Sequence, residues 1–145
     1  MVIFIGLQAC GKSTFYKENF IDTHIRINLD MLKTRNRERI LLKACIEAKQ
    51  KFVVDNTNPC ILDRQKYIVL AKEAGFEIVG YYFCSNISKA LERNKNRKNY
   101  VPEKAILSTF QKLELPSYEE RFDQLYYVEI AKKNQFIIKD WQNEA

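Results

Sequence analysis

Val2-Ile3-Phe4-Ile5-Gly6-Leu7-Gln8-Ala9-Cys10-Gly11-Lys12-Ser13 is the stretch on which the reading of this chain turns. Four apolar residues lead into Gly6, a run suited to a short buried strand. Gly6, Gly11, Lys12 and Ser13 fill every fixed position of G-x-x-x-x-G-K-[ST]. With average residue usage, a chance match in a chain this long has odds on the order of one in a few hundred. A plain glycine turn between strand and helix would need neither Lys12 nor Ser13. A phosphate-binding loop needs both. Its backbone N–H groups converge on nucleotide phosphates, and the helix N-terminus that follows adds the positive end of its dipole. The lysine reaches the β- and γ-phosphates as a point charge, and the hydroxyl ligates Mg²⁺. Gly6, Leu7, Gln8, Ala9, Cys10, Gly11, Lys12, Ser13 and Thr14 are therefore the expected nucleotide-binding residues, with ATP and Mg²⁺ as cofactors. Lys12 is expected on an exposed loop. The Cys10 thiol, close to Lys12 and a helix N-terminus, is expected to have a lowered pKa and to be shielded by ATP.

Outward from this loop, short apolar runs alternate with stretches of helical period. The expected strands are 2–5, 25–28, 52–54, 76–83, 125–130 and 135–138, with a turn at 132–134 before the last. The expected helices run from the loop to about Phe20, from Met31 to Gln50, from Leu62 to Ala74 with Gly75 as its stop, from Ile87 into a basic stretch, and onward from Pro102. This alternation is the pattern of βαβ units. It predicts an α/β chain of P-loop NTPase fold, with about five mostly parallel strands flanked by helices. No repeat, linker or low-complexity tract interrupts it, so residues 1–145 read as a single domain with a basic lid at about 93–100.

Apolar residues make up 46% of the 145 residues and aromatics 12%, which excludes a disordered chain. No apolar run approaches the roughly 18 residues of a membrane span, and Val2–Ile5 is too short for a secretion signal. A cytoplasmic protein is expected. Cys10, Cys45, Cys60 and Cys84 form no CxxC pair, so neither a zinc site nor a disulfide framework is indicated. His24, before a strand-like run, reads as structural. The net charge of +6 is clustered at Lys33, Arg35, Arg37 and Arg39 and again at Arg93, Lys95, Arg97 and Lys98. Each cluster is either a solvated helix face or part of an electropositive cleft for a polyanion.

Three further positions carry possible chemistry. Asp55 ends an apolar run, where open α/β sheets bind ligands; it would hold the metal, or else cap the Asn-Pro turn that follows. Asp30 follows the second strand and is either a general base beside the γ-phosphate or the N-cap of the long helix. Arg93 and Arg97 lie four apart, one face if that stretch is helical. They read as a lid that offsets charge on a transferred phosphoryl group, or as an exposed basic helix end.

These pieces in this order resemble the P-loop phosphotransferases related to the kinase domain of polynucleotide 5′-hydroxyl kinases, over about Val2 to Ile130. The resemblance implies Lys12 for the phosphates, Ser13 and Asp55 for Mg²⁺, Asp30 as general base toward the 5′-hydroxyl, and Arg97 as the lid arginine on the transferred phosphate, with Arg93 beside the nucleotide. It also covers Val101-Pro102 and the segment from Glu114 to Asp123. Three positions depart from the pattern: Gln8-Ala9-Cys10 where Pro-Gly-Ser is frequent, Lys33 where an arginine contacts an acceptor phosphate, and Arg121 where glycine is common. The implied activity is transfer of the ATP γ-phosphoryl group to a hydroxyl, foremost a polynucleotide 5′-hydroxyl. The alternatives are a small-molecule or nucleoside kinase of the same fold, and an ATP-binding or ATPase protein with no phosphorylated acceptor.

Overall fold

The computed structural model describes residues 1–98, 100–131 and 135–142. The turn expected at 132–134 lies outside the described residues, as does Asn99 of the expected lid. Strand β1 (Val2–Ile5) is fully buried at the centre of a six-stranded sheet of order β2-β3-β1-β4-β5-β6. Its neighbours are β3 (Phe52–Val54) and β4 (Val79–Phe83), both parallel to it; β2 (Ile25–Ile27) and β5 (Gln124–Ile130) extend the parallel sheet on either side. Buried apolar runs suit strands covered on both faces, and the order of the first five is the 2-3-1-4-5 that the resemblance to P-loop phosphotransferases implies. The sixth strand, β6 (Phe136–Asp140), pairs antiparallel with β5.

Helices α1 (Lys12–Asn19), α4 (Ile61–Glu73), α5 (Ile87–Lys95) and α6 (Glu103–Lys112) fall close to expectation. The expected helix from Met31 to Gln50 is instead two helices, α2 (Leu29–Leu32) and α3 (Arg35–Ala48). Lys33 turns to φ 75° between them, and the Thr34 hydroxyl accepts the Arg37 N–H to cap α3. Gly75 ends α4 with a left-handed φ of 84°, as a helix stop should.

Two cores cover the faces of the sheet. One gathers Ile3, Ile5, Phe52, Val54, Tyr67 and Ile68. The other packs Phe4, Phe15, Phe83 and Cys10 under α1. A third, small cluster of Leu7, Ala90 and Ile106 seats α5 and α6 against the loop after β1. Among the described residues no helix is long and apolar enough to cross a membrane.

Candidate active site

A cleft of about 710 Å³ opens at the carboxyl ends of β1, β2 and β3. Gln8, Ala9, Gly11, Lys12, Ser13 and Thr14 line it together with Asp30, Asp55, Arg93 and the exposed Arg97. These residues are far apart along the chain, and the parallel crossovers bring them together.

Gly11 has φ 91°, and a Cβ there would come within 3.0 Å of the Phe136 ring, so the position requires glycine. Gly6 packs so tightly that a Cβ would sit 3.0 Å from both Cys10 Sγ and Phe83. Gly6, Leu7 and Cys10 do not face the cleft with their side chains. Leu7 is fully buried beneath it, and Cys10 points into the aromatic core. The expected reactive thiol is therefore corrected: burial pushes the Cys10 thiol pKa up, and the nearby Lys12 ammonium offsets this only in part.

Lys12 is also buried rather than exposed. Its Nζ folds back over its own loop, donating to the carbonyls of Gly6 at 3.0 Å and Leu7 at 2.6 Å, and to Cys10 Sγ at 3.4 Å. To reach a phosphate it has to release those acceptors. The Gln8 amide donates to Thr109 Oγ1 at 3.0 Å and so ties the loop to α6.

Asp55 is almost wholly buried. Its Oδ2 accepts from Arg26 Nε at 2.8 Å, while Arg26 Nη2 donates to Ser13 Oγ at 2.8 Å. One guanidinium thus bridges the two expected metal ligands. Among the described residues the Asp55 carboxylate accepts from Arg26 and does not cap the following turn; Asn56 and Asn58 tie that turn to α2 and β1. Asn56 Oδ1 accepts the Leu29 N–H, and Asn58 Nδ2 donates to Phe4 O. Asn28 Nδ2 in turn donates to Asp55 O at 2.6 Å. These amides, together with the β2–β3 ladder, fix the start of α2 against the end of β3.

That arrangement decides the competing role for Asp30. The caps are Asn28 for α2 and Thr34 for α3, so Asp30 caps neither helix. It sits exposed in the first turn of α2, on the cleft, and among the described residues no hydrogen bond or ion pair engages its carboxylate. Lys33, implied by the resemblance to contact the acceptor, does not line the cleft; Arg35 and Lys66 do. Arg35 is held by Glu38 at 3.0 Å, and the buried Glu38 also accepts from Tyr67 and Asn56. Burial first, then the Glu38 carboxylate, push the Tyr67 phenol well above its usual pKa.

Helix α5 ends at Lys95, so Arg97 lies beyond it in a turn whose N–H reaches Asn94 O; Arg93 and Arg97 nonetheless both reach the cleft. Sequence reasoning missed Arg26, Asn94, Lys66 and Asn56. Arg26 is legible as a charge inside a strand next to the second carboxylate candidate. Nothing in the chain order marks the others.

No protein-family model matches the chain. A bifunctional polynucleotide phosphatase/kinase from Schizosaccharomyces pombe is 34% identical over 133 residues, covering 84% of this chain and 31% of that protein. An L-seryl-tRNA(Sec) kinase from Methanococcus maripaludis is 27% identical over 143 residues, covering 85% of this chain and 56% of that one. The chain therefore spans about a third to a half of the length of these relatives. A gluconokinase structure from Sinorhizobium meliloti 1021 superposes with a TM-score of 0.64 at 19% identity, covering 90% of this chain and 82% of the other. In sequence the chain resembles the polynucleotide-kinase-like proteins, and its fold is that of the P-loop kinases.

Proposed function

We propose that this chain transfers the γ-phosphoryl group of ATP to the 5′-hydroxyl of a polynucleotide. The observation that carries the reading is the unengaged Asp30 carboxylate in the same cleft as Lys12, Ser13, Asp55, Arg93 and Arg97. A nucleotide switch has no use for a proton acceptor on the acceptor side. A kinase does.

In this reading the loop amides and Lys12 hold the β- and γ-phosphates, Lys12 having exchanged the Gly6 and Leu7 carbonyls for phosphate oxygens. Asp30 accepts the proton of the acceptor hydroxyl as that oxygen forms its bond to the γ-phosphorus. The bond from the γ-phosphorus to the bridging oxygen breaks, and ADP leaves with that electron pair. Arg93 and Arg97 face the charge carried by the phosphoryl group in flight. Mg²⁺ bound with the nucleotide would neutralise phosphate charge, and Ser13 and Asp55 suit it. Both are hard oxygen donors, close enough to share one cation, and among the described residues no set of three carboxylate, imidazole or thiol groups gathers to cage a metal. A site with few protein ligands is how Mg²⁺ is usually held alongside phosphates.

Support for a nucleic-acid acceptor comes from the two relatives, whose names specify a polynucleotide and a seryl-tRNA, and from Arg35 and Lys66, which line the same cleft as Asp30. Each phosphate contact beyond the reacting nucleoside releases counterions and contributes binding energy. Initial rates should therefore rise from a nucleoside to a dinucleotide to a longer 5′-hydroxyl oligonucleotide, and the gain should shrink with added salt. Equal efficiency across all three at both low and high salt would contradict the polynucleotide reading and favour a small-molecule kinase.

A further inference from the structure

Arg26 has no part in the phosphoryl transfer just described, yet it makes the closest polar contacts of both residues expected to hold the metal. Its Nε lies 2.8 Å from Asp55 Oδ2 and its Nη2 2.8 Å from Ser13 Oγ. Asp55 is 1% exposed, and a carboxylate so buried is costly without a compensating cation. Arg26 itself is 23% exposed, so its guanidinium lies on the boundary between that buried charge and the cleft. It rests over the Tyr16 ring, 5.8 Å from the centroid, and the Tyr16 hydroxyl is anchored on His24 O at 2.6 Å. The ring supports the guanidinium on the side away from the two oxygens without engaging its N–H donors.

A guanidinium and a divalent cation cannot both lie between Ser13 Oγ and the Asp55 carboxylate. Two positive groups that close repel by several kcal/mol even at an effective dielectric of about 20. We propose that Arg26 is a built-in counter-cation for the metal position. It neutralises Asp55 and holds Ser13 while no nucleotide is bound, and it gives up Ser13 when Mg²⁺ arrives with ATP. Nucleotide loading is then an exchange of one cation for another, and Arg26 sets how much Mg²⁺ that exchange requires. The inference rests on the reading of Ser13 and Asp55 as the metal-holding pair.

The test is the Mg²⁺ dependence of binding, followed by calorimetry with a non-hydrolysable ATP analogue while Mg²⁺ is varied. Arg26→Gln, which removes the charge and shortens the side chain but leaves it polar, should lower the Mg²⁺ needed for half-maximal binding by about fivefold or more, the lower end of ordinary coupling between sites. Without Mg²⁺ the same variant should melt at a lower temperature than the wild type, and Mg²⁺ with the analogue should narrow that gap. Arg26→Lys keeps the charge but cannot span both oxygens, so it should fall between the two. It also serves if the glutamine variant folds poorly. An unchanged or increased Mg²⁺ requirement in both variants would overturn the proposal, making Arg26 a fixed structural partner or an aid to the metal. Asp55→Asn separates this from failure of the underlying reading. If that substitution leaves the Mg²⁺ dependence as in the wild type, Asp55 does not serve the metal and both readings fall. If it weakens the dependence while the Arg26 variants do not strengthen it, only the exchange is lost.

Discussion

Ala9 and Arg121 hold backbone angles of φ 63° and φ 79°, in the left-handed region that side chains other than glycine occupy at a cost. Both lie where the resembling kinases tend to carry glycine, and the structure gives the departures a physical meaning. Arg121 closes the 3₁₀ turn Tyr118–Glu120 and is exposed, so little besides strain is at stake there. Arg121→Gly should raise stability by about 0.5–1 kcal/mol, the relief of left-handed strain less the added freedom of the unfolded chain. A higher urea midpoint at unchanged slope would register the gain; an unchanged or lower midpoint would show that the arginine side chain contributes something the backbone argument omits. Single residues were unevenly legible. The glycines, Lys12 and Ser13 of the loop could be read outright, because a fixed spacing encodes them. The burial of Cys10 and Lys12 could not, since it depends on Phe83 and on loop carbonyls that no local pattern reveals.

At the scale of elements, the break between α2 and α3 is the main departure from the expected helix over 31–50. The run Lys33-Thr34-Arg35-Asn36-Arg37 has weak apolar periodicity and reads as a charged helix face. Thr34 is in fact an N-cap, and the resulting corner leaves Asp30 on a short helix whose first turn faces the cleft. The lid has a comparable device. Asn94 is 2% exposed and pairs twice with Val101, its amide donating to Val101 O at 2.6 Å and its carbonyl accepting Val101 N at 2.9 Å. That clasp closes the loop carrying Arg97. Asn94→Ala strands two backbone groups and should cost about 1–3 kcal/mol, felt first in the loop. Faster amide exchange at Val101 is expected, together with a lower kcat at nearly unchanged affinity for ATP. Wild-type exchange at Val101 would show that the loop is held by other contacts.

Across the whole molecule, the parallel sheet and its order follow from the alternation of apolar strands and helices, which the sequence displays plainly. The antiparallel sixth strand is less evident, since residues 136–140 are mostly exposed and pair only with β5. The work of the segment from Glu114 to Asp123 is mechanical. Glu120 forms a two-pronged ion pair with the fully buried Arg64 at 2.7 and 3.1 Å, and Arg64 also donates to the carbonyls of Asn58 and Pro59. The chain after the lid is thereby joined to the loop that follows Asp55. Such a pair lies 56 residues apart in sequence, beyond the reach of any motif. The direct measurement of the proposed function is transfer of labelled γ-phosphate from ATP to a 5′-hydroxyl oligonucleotide by the wild type and by Asp30→Asn. Label should appear on the 5′ end with the wild type. With Asp30→Asn it should fall by about 10²–10⁴-fold while ATP binding persists, because only the proton acceptor is lost. Undiminished transfer by the variant, or label released by the wild type only as inorganic phosphate, would contradict the account.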